Sequence, residues 1–130
     1  MRKFFSLLLP LVCFSAHAEW TYVGDNDGGR AQIYLDLPVI KRGNFPQMWL
    51  MRNYASGYRD QLGDVYFSEK VLHEYDCVSK QIRSLQIVQY SGTLGSGRVI
   101  YSSSSSYNDP WRYVAPSTEG ALRIDIACGK

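Results

Sequence analysis

Apolar and polar positions alternate with a period of two along most of this chain, which predicts antiparallel strands rather than helices. Trp20-Thr21-Tyr22-Val23 reads as a first strand, closed by the turn residues Asp25 to Gly29, and Arg30 to Leu35 as a second. Gln47 to Tyr54 is a third, with Met48, Leu50 and Arg52 on one face and Trp49, Met51 and Asn53 on the other. Ala55 to Asp64 is polar and glycine-punctuated and reads as a loop. The longest strands predicted are Phe67 to Cys77 and Gln81 to Tyr90, separated only by Val78-Ser79-Lys80, a hairpin spacing. Arg98 to Tyr101 is a last short strand, and Ser102 to Ser106 a low-complexity loop with nothing to offer a core.

Local signals conflict at the C-terminus. Leu122, Ile124, Ile126 and Cys128 alternate with Ala121, Arg123, Asp125 and Ala127, and on periodicity alone the segment is a strand. Yet Pro116-Ser117-Thr118-Glu119 carries a hydroxyl cap and a first-turn acid, which start helices. On a helix, Leu122/Ile126 and Ile124/Cys128 would stack at i, i+4.

The N-terminus changes how composition is read. Arg2 and Lys3, the apolar run Phe4 to Phe14 and the small-x-small site Ala16-His17-Ala18 predict a secretory signal over residues 1–18, leaving one domain over 19–130. The apolar run is too short for a bilayer core, which takes ~20 residues. Leu11-Val12 before Cys13 argue against lipid attachment. The chain has 14 Lys and Arg against 12 Asp and Glu; the signal holds two of the bases and no acid, so the rest is balanced. A neutral domain lacks the basic surface on which nucleic-acid binding rests. Two cysteines remain, Cys77 and Cys128, and in an oxidising compartment they are expected to pair.

Candidate chemistry is sparse. Gly92 to Gly97 is glycine-rich but lacks the Lys-Ser/Thr of a phosphate loop, and Asp25-x-Asp27-Gly28 has Arg30 where a calcium loop needs glycine. His73 with Ser68 or Asp76 has no triad geometry in its spacing, and Glu69, Glu74 and Asp76 read as a solvated strand rather than a hydrolytic pair. No cofactor or metal and no enzymatic activity is expected. All ten Tyr and all three Trp follow residue 18, and with Arg they are the residue types enriched at interface hot spots. Lys70, His73, Lys80 and Arg83 lie near the central hairpin, where they form either a local positive patch or a plain solvated strand face.

Taken in order, a set of short motifs resembles the surface-adhesin protein E-like family of proteobacteria. They are Trp20, Tyr34-x-Asp36, Ile40-x-Arg42, Trp49 and Tyr54, Ser68-x-Lys70, Tyr75-Asp76-Cys77, Tyr90-Ser91-Gly92 with Gly95-Ser96-Gly97, Trp111-Arg112-Tyr113-Val114 before Pro116, and Ile126-Ala127-Cys128. The resemblance implies an α+β fold: a curved antiparallel sheet of about six strands with a C-terminal helix, Ser117 to Ala127, on its concave face. A Cys77–Cys128 disulfide would tether that helix. It also implies an exported protein-binding module without catalysis, at the cell surface or in the periplasm, with host matrix proteins such as vitronectin and laminin as partners. The binding region would be Ser68 to Arg83, with Lys70, His73, Tyr75, Lys80 and Arg83 as contacts. The other function these residues allow is a periplasmic ligand-binding or inhibitor module with no host role.

Overall fold

The computed structural model describes residues 19–104 and 109–130. The signal expected over residues 1–18 and the last serines of the expected loop, Ser105 and Ser106, lie outside the described residues. Strands β1 (Trp20–Asn26), β2 (Ala31–Asp36), β3 (Gln47–Arg59), β4 (Val65–Asp76), β5 (Gln81–Tyr90) and β6 (Val99–Ser104) pair antiparallel in sequence order. A two-residue strand β7 (Arg112–Tyr113) adds to the start of β5, and helix α1 (Glu119–Cys128) follows.

Register sorts the residues onto two faces. Leu35 pairs with Leu50, Leu50 with Val71 and Val71 with Ile87, a row running across four strands. This face meets the helix: Ala31, Ile33, Leu35, Met48, Leu50, Tyr75 and Ile82 form one buried cluster with Ile124 and Ala127 of α1. The parallel row Tyr34, Met51, Lys70 and Val88 lies on the other face, which α1 does not cover. A bulge between Leu72 and His73 absorbs Leu85 on β5, so both faces keep their phase around it.

Three expectations change. The loop at 55–64 is mostly strand: β3 runs on to Arg59, and the turn is only Asp60 to Asp64, where Asp60 Oδ1 accepts from the amides of Leu62 and Asp64 at 2.9 Å. A register shift between Asn53 and Tyr58 breaks the period of two there, which hides the strand in the sequence. Gly57 sits in that irregularity at φ +78°, where a Cβ would stand 3.1 Å from the Phe67 ring. Beside it Tyr54, Tyr58 and Tyr66 pack ring on ring at 5.1–5.7 Å, so Tyr58, read as a loop residue, helps close a core edge. The serines Ser102 to Ser104 likewise belong to β6, because ladder hydrogen bonds on an edge strand need no apolar side chain. Strand β7 was not expected at all.

The C-terminus is a helix, one turn-start later than the expected Ser117. Ser117 is left-handed at φ +61°, and Thr118 caps the helix, its Oγ1 accepting from the Ala121 amide at 3.2 Å. Gly129 ends it at φ +73°. The buried positions are Arg123, Ile124 and Ala127, a helical spacing, whereas Leu122 is 45% exposed. Cys77 and Cys128, with Cα atoms 5.8 Å apart, bond the end of the helix to the end of β4. Closing this 51-residue separation stabilises the fold by about 4 kcal/mol on the chain-entropy account.

Candidate functional site

The uncovered face of the sheet carries an aromatic and cationic band. Lys70, in the middle of β4, places Nζ 5.5 Å from the Trp20 ring centroid and 5.1 Å from that of Tyr90, within cation–π range of both. Trp20, Trp49, Lys70, Val88 and Tyr90 line a shallow hollow of about 370 Å3 with Asp36 and Gln86. Further along this face Arg83 donates through Nη2 to Glu74 Oε1 at 2.7 Å and stacks on Trp111 at 4.4 Å, and Trp111 in turn meets Phe45 at 5.6 Å. Glu74 also accepts from Gln47 Nε2 at 3.2 Å, which holds its carboxylate against the strand.

The glycine-rich segment has a structural task here. Residues Gly92 to Gly97 fold back onto the same face, where Ser68 Oγ donates to Gly92 O at 2.6 Å and accepts from the Gly95 amide at 2.8 Å. Asn53 Oδ1 accepts from the Leu94 amide at 2.8 Å. A Cβ on Gly95 would come within 2.7 Å of Lys70 Cε, so glycine there lets the segment lie against the lysine stem. The segment therefore braces Lys70 and Met51 from above rather than cradling phosphate.

The five residues expected to form a binding patch do not share a surface. Lys70 and Arg83 stand on the uncovered face, but His73 and Tyr75 point into the sheet–helix interface and are buried. Lys80 occupies the β4–β5 turn at φ +59°, on the helix side, lining a hollow with Ala121, Ile124 and Asp125. Lys130 beside it lowers its pKa by hydrogen bonding and by like charge. The sequence placed all of these but Lys80 on strands, where residues an odd number of positions apart face opposite ways.

His73 accepts at Nδ1 from Arg123 Nη1 at 3.0 Å, which puts the ring proton on Nε2. Burial, followed by the charges of Arg123 and Arg52, pushes its pKa well below 6.5, so the ring is neutral. Arg123 Nε approaches Glu119 Oε1 to 2.6 Å, but the N–H is not aimed at the oxygen, so the contact is an ion pair without a hydrogen bond. Tyr75 sits near this group with its hydroxyl unbonded, and burial raises its pKa while Arg123 opposes. Arg52 donates to Glu69 at 2.9 Å; burial is the largest single influence on its pKa and lowers it, but Glu69, Tyr54 and Glu119 together raise it. Burial and then Glu69 raise the pKa of Tyr66.

These placements dissolve the catalytic combinations considered from sequence. Ser68 and His73 are on opposite faces, and Asp76 is occupied with the turn amides of Val78 and Ser79 at 3.0 and 3.1 Å. Glu69 and Glu74 also face opposite ways, each against its own arginine. Among the described residues no group of three His, Cys, Asp or Glu side chains could hold a metal ion. Sequence reasoning missed Trp111 and Arg123, the first because its partners are 28 and 66 residues away along the chain, the second because alternation set it opposite Leu122, Ile124 and Ile126.

A family model described as Surface-adhesin protein E matches residues 20–129. The fold is similar to that of Haemophilus influenzae protein E. Its selenomethionine form superposes at a TM-score of 0.58 with 12% identity, over 83% of this chain and 85% of that one. Protein E from non-typeable Haemophilus influenzae gives 0.60 at 12% identity, over 89% and 79%. At such identity the likeness is one of fold. None of the curated protein sequences matches this chain.

Proposed function

We propose, from the premise that the chain belongs to the surface-adhesin protein E family, that it is an exported, non-catalytic adhesin binding another protein through the uncovered face of its sheet. The observation that carries this reading is the band from Trp20 and Tyr90 through Lys70 to Arg83 and Trp111. Its rings are half-buried, held by neighbours, and lie on the face away from α1. Such rigid aromatic surfaces with arginine are the kind that anchor protein interfaces, because they offer apolar area at low ordering cost. Within the five-residue patch, Lys70 and Arg83 are the contacts this reading retains; Lys80 would touch only a partner that also reached the helix side.

Host matrix proteins, vitronectin or laminin, are the partners the reading assigns, with cleavage after Ala18 and display at the cell surface. Among the described residues no helix is long and apolar enough to cross a membrane. Protease added to intact cells tests the address: an adhesin is digested, while a protein kept in the periplasm survives until the cells are opened. Saturable binding of the disulfide-bonded protein to immobilised vitronectin or laminin near physiological salt is the second arm. Failure of both would favour the alternative, a periplasmic ligand-binding module, a reading supported by the cavity between sheet and helix.

A further inference from the structure

Between the helix and the covered face of the sheet lies a cavity of about 350 Å3 whose walls are chemically uneven. Among its lining residues are the arginines Arg52, Arg112 and Arg123 and a single acid, Asp109; Arg83, also at its edge, turns its guanidinium to Glu74 and Trp111 on the other face. Each of the three has a carboxylate near it, but Glu69 and Glu119, the partners of Arg52 and Arg123, lie outside the lining. The lining itself therefore carries more basic residues than acidic ones. Asp109 does not restore the balance: it is 3.6 Å from Arg112 and accepts from the Ser84 amide at 2.8 Å.

Donor capacity is left over as well. Arg123 is only 7% exposed; its Nε lies 2.6 Å from Glu119 Oε1 and its Nη1 donates to His73, two of the sites among the five N–H donors a guanidinium carries. Arg112, its side chain 73% exposed, lines the cavity from its solvent side. His73, between Arg123 and the sheet, adds no charge of its own because Arg123 and Arg52 help to keep it neutral. The remaining walls are apolar, formed by Val71, Ile82, Ile87 and Val114. An arginine fork matches a planar oxyanion, and apolar walls favour a ligand with a hydrocarbon body.

We propose that this cavity is a binding site for a small organic carboxylate, its headgroup held by Arg112 and Arg123 and its hydrocarbon body laid against Val71, Ile82 and Ile87. The site is separate from the uncovered face, so it holds whether or not the protein binds a matrix partner. A bound carboxylate would sit beside His73, and the His73 ring resonances report its arrival.

The test titrates the disulfide-bonded protein with hexanoate, acetate, inorganic phosphate and the neutral hexanamide while following those resonances. Saturable shifts with hexanoate, weaker binding of acetate and phosphate, and no response to hexanamide are expected. Arg112→Gln should weaken hexanoate roughly tenfold, the loss of a charged hydrogen bond, with an unchanged unfolding midpoint because the side chain is exposed. No response to hexanoate, or equal binding of hexanoate and hexanamide, would overturn the proposal. Phosphate binding more tightly than hexanoate would overturn the apolar-body assignment, and an Arg112→Gln variant with native affinity would remove Arg112 from the site.

Discussion

A neutral histidine and a charged arginine share the interior of this protein because each satisfies the other: Arg123 donates and His73 accepts at 3.0 Å. The pair has a consequence for stability against pH. The folded pKa of His73 lies well below 6.5, whereas in the unfolded chain the imidazole takes up a proton near its ordinary value. The unfolded state therefore binds more protons below pH ~6.5, and stability is complete above that pH and falls as pH drops through it. The slope should approach about 1.4 kcal/mol per pH unit until the folded pKa is reached. His73 is the one histidine after residue 18, and unfolded glutamates titrate only near ~4.3, so the window down to about pH 5.5 belongs to it. Urea unfolding across that range should show the slope in the native chain and lose it in His73→Gln, which keeps an acceptor for Arg123. Equal slopes would contradict the assignment. Sequence placed His73 on β4 correctly; it could not say which face, since alternation defines two faces without telling which one a helix will cover.

At the scale of elements, α1 is where two periodicities competed. The alternation of Leu122, Ile124, Ile126 and Cys128 resembles a strand, but the helix buries Arg123, Ile124 and Ala127 instead. Thr118 and Gly129 at its ends, both readable as caps, carried the correct information. The two phases predict opposite mutational orders. Arg123→Ala leaves Glu119 without its cation and His73 without its donor, and should cost about 3 kcal/mol in chemical unfolding, as for other broken buried pairs. Leu122→Ala, at an exposed position, should cost under ~1 kcal/mol. The reverse order would mean that the alternating face is the buried one. The β4–β5 hairpin was legible because only four residues join two regular strands. The far end of β3 was not, because the irregularity between Asn53 and Tyr58 and the glycine at 57 imitate a loop.

The whole molecule is one sheet with unequal faces. One face is closed by α1 and by the Cys77–Cys128 bridge; the other keeps Trp20, Trp49, Tyr90 and Trp111 at its surface around Lys70 and Arg83. Family membership and the order of strands were within reach of the sequence, because the motifs recur in order along the chain. Which aromatics meet was not, since Trp20 reaches Lys70 only through the pairing of four successive strands. The central claim is that the uncovered face does the binding. Its most direct test compares Trp49→Ala and Lys70→Gln with Lys80→Ala for binding to immobilised vitronectin or laminin, with unfolding midpoints recorded for all three. Trp49→Ala should weaken binding by about 2 kcal/mol, as for a central aromatic anchor, and Lys70→Gln should slow association and reduce its salt dependence, while Lys80→Ala on the helix side binds as the native chain does. Native binding by folded Trp49→Ala and Lys70→Gln variants, with loss in Lys80→Ala, would place the interface on the helix side and contradict the account.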